Sequence, residues 1–156
     1  MEDAFAVTEF KHGVALLRNG RADEAVDYFR RAVEGEKHNP YYLSFFGLSV
    51  GRAQKKWNAA LECCEAALRL KRNEVQLYLN LAEIYVCAGR REEAVKTLDT
   101  ASRYCGVDSR LRGARSRLGK RRSAVLPFLR RQSFLNRNLG KLRHRVMKKL
   151  RKSQKS

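Results

Sequence analysis

Proline is almost missing from this chain of 156 residues: Pro40 and Pro127 are the only two, beside ten glycines and a single tryptophan. That scarcity excludes collagen-like, polyproline and low-complexity architectures. No apolar run approaches the roughly 20 residues that a bilayer-spanning helix needs. The chain opens Met1-Glu2-Asp3, acidic where a secretory leader is basic and then apolar, so a cytoplasmic protein is expected. Cys63, Cys64, Cys87 and Cys105 contain no C-x-x-C pair, and no histidine stands at metal-ligand spacing from them. Reduced thiols are expected, some of them small core residues, with no metal and no cofactor. His12, His38 and His144 lie in three separate elements, none near a Ser/Asp or Cys partner at a familiar spacing. A glycine-rich phosphate loop is also lacking. These absences point away from an enzyme and from a small-molecule substrate.

Carboxylates are missing from one part of the chain altogether. Residues 1–108 hold 16 Lys+Arg and 16 Asp+Glu, whereas residues 109–156 hold 18 Lys+Arg and no acidic side chain. The whole net charge of +18 therefore belongs to the C-terminal part. Composition draws a boundary near Asp108.

The neutral part repeats itself. Ala25, Ala60 and Ala94 are spaced by 35 and 34 residues, and so are Ala32, Ala67 and Ala101. Phe29, Cys64 and Leu98 share that register, as do Phe10, Phe45 and Leu79, and Gly20, Lys55 and Gly89. Each period reads as two amphipathic helices joined by a short turn. In the third, Leu77, Leu81, Ile84 and Tyr85 share one face; Ala94, Val95, Leu98 and Ala101 form the second stripe. Gly20 and Gly89 stand where a left-handed helix cap favours glycine. The repeated alanines suit close approach of antiparallel helices.

The third unit, Tyr78-x2-Leu81-Ala82-x2-Tyr85-x3-Gly89-x4-Ala94-x3-Leu98-x2-Ala101, resembles the tetratricopeptide repeat (TPR). Gly13, Leu16, Gly20, Ala25, Phe29 and Ala32 carry the likeness in the first unit. The second departs from it: Lys55 replaces the turn glycine, and either Gly47 or Leu48 fills the small site of its first helix. The family's proline after the second helix is replaced by Lys37, Arg72 and Gly106, with Pro40 slightly later. The resemblance implies an all-α solenoid of three helix-turn-helix repeats, at about 6–39, 40–73 and 74–106 within domain 1–106. A capping helix over 107–122 is expected next, with Val107, Leu111, Ala114 and Leu118 on one face, Asp108 or Ser109 as N-cap, and Arg110, Arg112, Arg115 and Arg117 on the other face.

Members of that family bind a peptide or helix against the first helices of their repeats. Carried over by position, the implied groove is Val7, Phe10, Val14 and Leu17 from the first unit. Tyr42, Phe45, Ser49 and Arg52 follow from the second, then Gln76, Leu79, Glu83 and Val86. Chaperone-binding relatives carry a Lys, Arg and Asn clamp for a C-terminal carboxylate. Here Phe10 and Val14 stand where it would begin, and Asn80 alone does not make one.

Residues 123–156 form a basic extension with two features. Val125, Leu126, Pro127, Phe128 and Leu129 make an apolar island among basic residues, suited to docking as an extended segment. Further on, Leu135, Leu139, Leu142, Val146 and Leu150 recur at helical spacing. Arg137, Lys141, Arg143, Arg145, Lys148, Lys149, Arg151 and Lys152 surround that stripe. A basic amphipathic tail helix suits an acidic protein partner, an anionic membrane surface, or RNA or DNA phosphates. No sequence-reading nucleic-acid motif is present, and Phe128 and Phe134 are the only aromatics available for base stacking. An adaptor is the reading these features favour: a protein ligand in the groove, and an acidic partner or anionic surface on residues 109–156; the alternative is a nucleic-acid-associated protein that binds RNA or the ribosome through that basic region.

Overall fold

The computed structural model describes residues 2–119, which fold as seven helices: α1 (Glu2–Arg18), α2 (Ala22–Gly35), α3 (Pro40–Gln54), α4 (Trp57–Leu70), α5 (Val75–Cys87), α6 (Arg91–Cys105) and α7 (Ser109–Leu118). No strand occurs among the described residues. The fold is an all-α solenoid of three helix pairs closed by a seventh helix.

Local chemistry explains the boundaries. Asn39 caps α3, its side chain accepting from the backbone N–H of Tyr41 at 3.0 Å and of Tyr42 at 3.4 Å. Pro40 follows at the first helical position, where its missing N–H costs nothing. It therefore opens the second unit and is not a displaced terminator of the first. Asp108 caps α7 by accepting from the Arg110 N–H at 2.7 Å. Val107 lies before that cap and is 89% exposed, so it drops out of the apolar stripe expected for this helix. Leu111 is buried, with Ala114 and Leu118 packed beside it against α5 and α6.

The turn between paired helices needs a left-handed residue in every unit. Gly20 and Gly89 supply it with φ of 77° and 75°. In the second unit Lys55 takes the same role, at φ 54° and ψ 24°. Its N–H bonds back to the Gly51 carbonyl at 3.1 Å, so the cap is intact although the residue is not a glycine.

Each helix packs on its pair partner and on the first helix of the next pair. The first helices also meet in series, α1 on α3, α3 on α5 and α5 on α7, whereas the backbones of α2, α4 and α6 stay more than 8 Å from one another. A two-layer stack whose first helices converge and whose second helices diverge is curved, with α1, α3 and α5 on its inner side.

Packing between paired helices follows a volume rule. A Cβ placed on Gly13 would lie 2.8–2.9 Å from the Phe29 ring, so that ring fills the space a side chain would take. At the matching positions of the later units stand Leu48 with Cys64, and Ala82 with Leu98, all buried. The first and third units thus set a small inner-helix residue beside a large partner, Gly13 against Phe29 and Ala82 with Leu98. In the second unit Gly47 is the residue of close approach: a Cβ there would sit 2.7 Å from the Ala60 carbonyl oxygen and 2.9 Å from the Cys63 Cβ. Leu48 joins the core with Leu17, Phe29 and Ile84 instead.

A polar tie at the linker joins the second and third units. The Tyr41 hydroxyl donates to Glu74 at 2.5 Å, and Lys71 approaches the same pair at 3.4 and 3.6 Å. The bond from Tyr41 is the main reason that the Glu74 carboxyl is held below its ordinary range. The contact fixes the chain where it leaves α4 and enters α5.

Candidate partner-binding groove

The inner face brings residues of α1, α3 and α5 together across the three units. Its first section is an aromatic shelf. The Phe10 ring centroid lies 4.8 Å from Tyr42, 5.2 Å from Phe45 and 5.7 Å from Phe29. The Phe10–Phe45 pair is edge-on at 89°, an arrangement that suits the ring quadrupoles. Phe10, Val14 and Phe45 back onto the buried core and keep part of their surface exposed. Val7 and Val86, at 39% and 45% exposure, are the open apolar ends of the strip. Gln76 and Leu79 are half-buried on α5.

Three of the twelve expected groove residues offer no such surface. Leu17 and Tyr42 are buried at 7% and 5% exposure, and Ser49 is fully enclosed. Leu17 joins the central core, and Tyr42 packs with Ala6 and Ala32 at the junction of the first two units. Ser49 turns inward and donates to the Phe46 carbonyl at 2.7 Å. Leu17 is covered within the central core and Tyr42 by Ala6 of α1 and Ala32 of α2, so packing against neighbouring helices decides their burial. His12 is exposed and meets Tyr28 of α2 edge-on at 5.6 Å.

Charge across the groove is balanced by one ion pair. Arg52 of α3 and Glu83 of α5 meet at 3.0 Å, each half-exposed. Cys87 lies near them. Its thiol is pushed up by burial first and by Glu83 second, with Arg52 opposing. A surface pair of this kind contributes little stability, about 0–1 kcal/mol.

Beneath the groove runs a buried polar chain that the repeat pattern does not reveal. Gln76 donates to Asn80 at 2.8 Å, Asn80 donates to Ser44 at 3.0 Å, and Ser44 contacts Cys64 at 3.8 Å. The Cys64 thiol also donates to the Ser44 carbonyl at 3.5 Å. Burial pushes Cys64 up to about 12, with the Ser44 contact a smaller opposing influence. Every buried side-chain nitrogen and oxygen among the described residues has a partner. The chain fixes Asn80 inward, so Gln76 is the amide left at the groove rim. Ser44 stands where the other units have Glu9 and Tyr78, and Asn80 where they have Lys11 and Phe46, so no repeated signal marks the arrangement in the sequence.

The docking segment Val125, Leu126, Pro127, Phe128 and Leu129 lies outside the described residues. So do the basic residues Arg137, Lys141, Arg143, Arg145, Lys148, Lys149, Arg151 and Lys152. Among the described residues no group of three or more His, Cys, Asp or Glu could hold a metal ion. No described helix is long and apolar enough to cross a membrane.

The helix pairs, their turn geometry and their inner groove define a helical-repeat protein. Tetratricopeptide repeat models match residues 10–35 and 52–118, together more than half of the sequence. The chain belongs to the tetratricopeptide repeat family. Solved structures share the fold at low identity. The first TPR of Spaghetti (RPAP3), bound to the HSP90 peptide SRMEEVD, is 19% identical with a TM-score of 0.62, over 76% of this chain and 95% of that one. An Arabidopsis OM64 TPR domain is 17% identical with a TM-score of 0.62, over 76% and 97%. The second TPR domain of human RPAP3, in complex with the HSP70 peptide SGPTIEEVD, is 16% identical with a TM-score of 0.62, over 78% and 100%. At these identities the likeness establishes the fold. No curated protein matches the sequence.

Proposed function

We propose that this protein is a non-enzymatic scaffold whose inner groove holds a peptide or helix of a partner protein. The observation that carries the reading is the exposed apolar strip from Val7 through Phe10, Val14 and Phe45 to Leu79 and Val86, spread over three successive helices. Two of the similar structures hold chaperone peptides ending in EEVD, which supports a peptide as the class of ligand. The lining here favours a different peptide. Arg52 is the single cation among the twelve groove positions, and Glu83 already neutralises it. The preferred segment presents apolar and aromatic side chains to the groove and does not rely on a terminal carboxylate. Burying one such anchor stabilises a complex by about 1.5–3 kcal/mol.

Residues 109–156 supply the second attachment. With 18 positive side chains and no carboxylate, they suit an acidic protein or another anionic surface. The protein then works in the cytoplasm as an adaptor between its groove ligand and that surface.

Selecting a random peptide library on the full-length protein tests the groove. Enriched peptides should be rich in aromatic and aliphatic residues, and their affinity should fall at least about tenfold in a Val7→Glu, Val86→Glu variant. Both positions are exposed, so helical content should not change. Peptides that bind wild type and variant equally, or capture that vanishes with nuclease, would refute the groove reading and favour nucleic acid on the basic region.

A further inference from the structure

The outer face of the stack carries a second cavity, separate from the groove. Because the backbones of α2 and α4 stay apart, a cleft opens between them, floored by α3. Its volume is about 270 Å³. Val26 and Val50, both nearly fully buried, form the floor with half-buried Phe46. Arg30, Gln54 and Lys56 stand at the rim, and Ala59 and Cys63 complete the α4 wall. No carboxylate lines the cavity. Arg30 is paired with Asp27 one turn earlier at 3.0 Å, with both side chains more than half exposed. Lys56 makes no ion pair among the described residues.

The end of α4 adds to this positive rim. The matching helices α2 and α6 place Asp23 and Glu24, and Glu92 and Glu93, in their first turns, whereas α4 has no acidic residue there. Carboxylates in a first turn offset the positive end of the helix dipole. At α4 that offset is absent, beside the side chain of Lys56.

Size decides between kinds of occupant. Pockets that enclose a small molecule or cofactor run to roughly 300–1,000 Å³. This one is smaller and open, with room for one large apolar side chain. We propose that the cleft between α2 and α4 is a docking site for an acidic protein segment that inserts a single aromatic or leucine side chain over Val26, Phe46 and Val50. Carboxylates flanking the anchor meet Lys56 and draw Arg30 away from Asp27. The scaffold then holds two protein ligands at once, on opposite faces of α3: an apolar segment inside and an acidic, singly anchored one outside.

The probe is a fluorescein-labelled peptide with one phenylalanine flanked on each side by two aspartates, followed by anisotropy on the full-length protein. Three changes separate the cleft from simple capture by residues 109–156: Ala59→Trp, which fills the cavity from an exposed position; Arg30→Glu, which reverses the rim; and a probe with alanine in place of phenylalanine. Saturable binding that weakens about tenfold or more in each arm supports the site. Circular dichroism confirms that both variants keep their helices, and the altered probe needs no change in the protein. Affinity within about twofold across all three arms would assign the binding to the basic region and overturn the proposal. Loss with Arg30→Glu but not with the alanine probe would leave only anion attraction and overturn it equally, as would no saturable binding.

Discussion

Replacing Lys55 with glycine should make this protein more stable, against the usual direction of a change that deletes a side chain. Lys55 sits at φ 54° and ψ 24°, where an L-residue's Cβ crowds its own backbone. That conformation costs about 1–2 kcal/mol, and glycine does not incur it. Glycine also loses more backbone freedom on folding, which takes back about 0.5–1 kcal/mol. Lys55 is exposed and makes no ion pair among the described residues, so nothing else is removed. The N–H bond to the Gly51 carbonyl survives the change. The net gain is about 0.5–1 kcal/mol, or about 2–4 °C in Tm for a fold of this size. Urea and thermal unfolding followed by far-UV circular dichroism measure it, and an unchanged m-value would show that compactness is unaltered. The reciprocal changes serve as the control. Gly20→Ala and Gly89→Ala, at φ 77° and 75° with no atom within 4 Å of the added carbon, should each cost about 1 kcal/mol through the backbone alone. If Lys55→Gly destabilises while both alanine variants are neutral, turn conformation is not what limits these turns, and the reasoning fails.

Two further outcomes follow from packing and burial. Gly47→Ala should destabilise by about 1–3 kcal/mol, because the new carbon meets the Ala60 carbonyl oxygen at 2.7 Å. Gly113→Ala, whose nearest contact would be the end of Arg117 at 3.7 Å, should gain about 0.5–1 kcal/mol from helix propensity in the same unfolding assay. Iodoacetamide at about pH 8 should label exposed Cys87 readily and spare Cys64 until urea unfolds the chain, since only the thiolate reacts and Cys64 titrates at about 12. Mass spectrometry that finds Cys64 modified at the native Cys87 rate would show that the α3–α4 contact opens freely.

Repeat architecture was legible because it is written in small residues. Ala25, Ala60 and Ala94 must be small wherever paired helices meet, so their spacing survives while neighbours change. All three are fully buried. The division between groove and core was less legible. Leu17, Tyr42 and Ser49 stand in the right register for a groove, but packing against the other helices of the stack covers them, which one unit's sequence does not specify. The Arg52–Glu83 pair joins residues from different units, so only the stacked geometry brings it to 3.0 Å. Lys55 marks a different limit: lysine carries no signature for positive φ, and only its place in the register beside Gly20 and Gly89 hints at it. The outer cleft had no sequence signal, because it arises where the backbones of α2 and α4 stay apart.

The matching of bulk between paired helices makes the first two units non-interchangeable at the level of single helices. Setting α4 against α1 would put the Cys64 thiol where Gly13 needs an aromatic ring, leaving a void. Setting α2 against α3 would force the Phe29 ring into the space that the smaller Cys64 thiol takes beside Ser44. A recombination that cuts within a unit therefore breaks the interior, whereas one that cuts in the linkers carries both halves of each match along. The helix pair, not the helix, is the smallest piece of this chain that could be copied, moved or grafted and still bring its own interior with it.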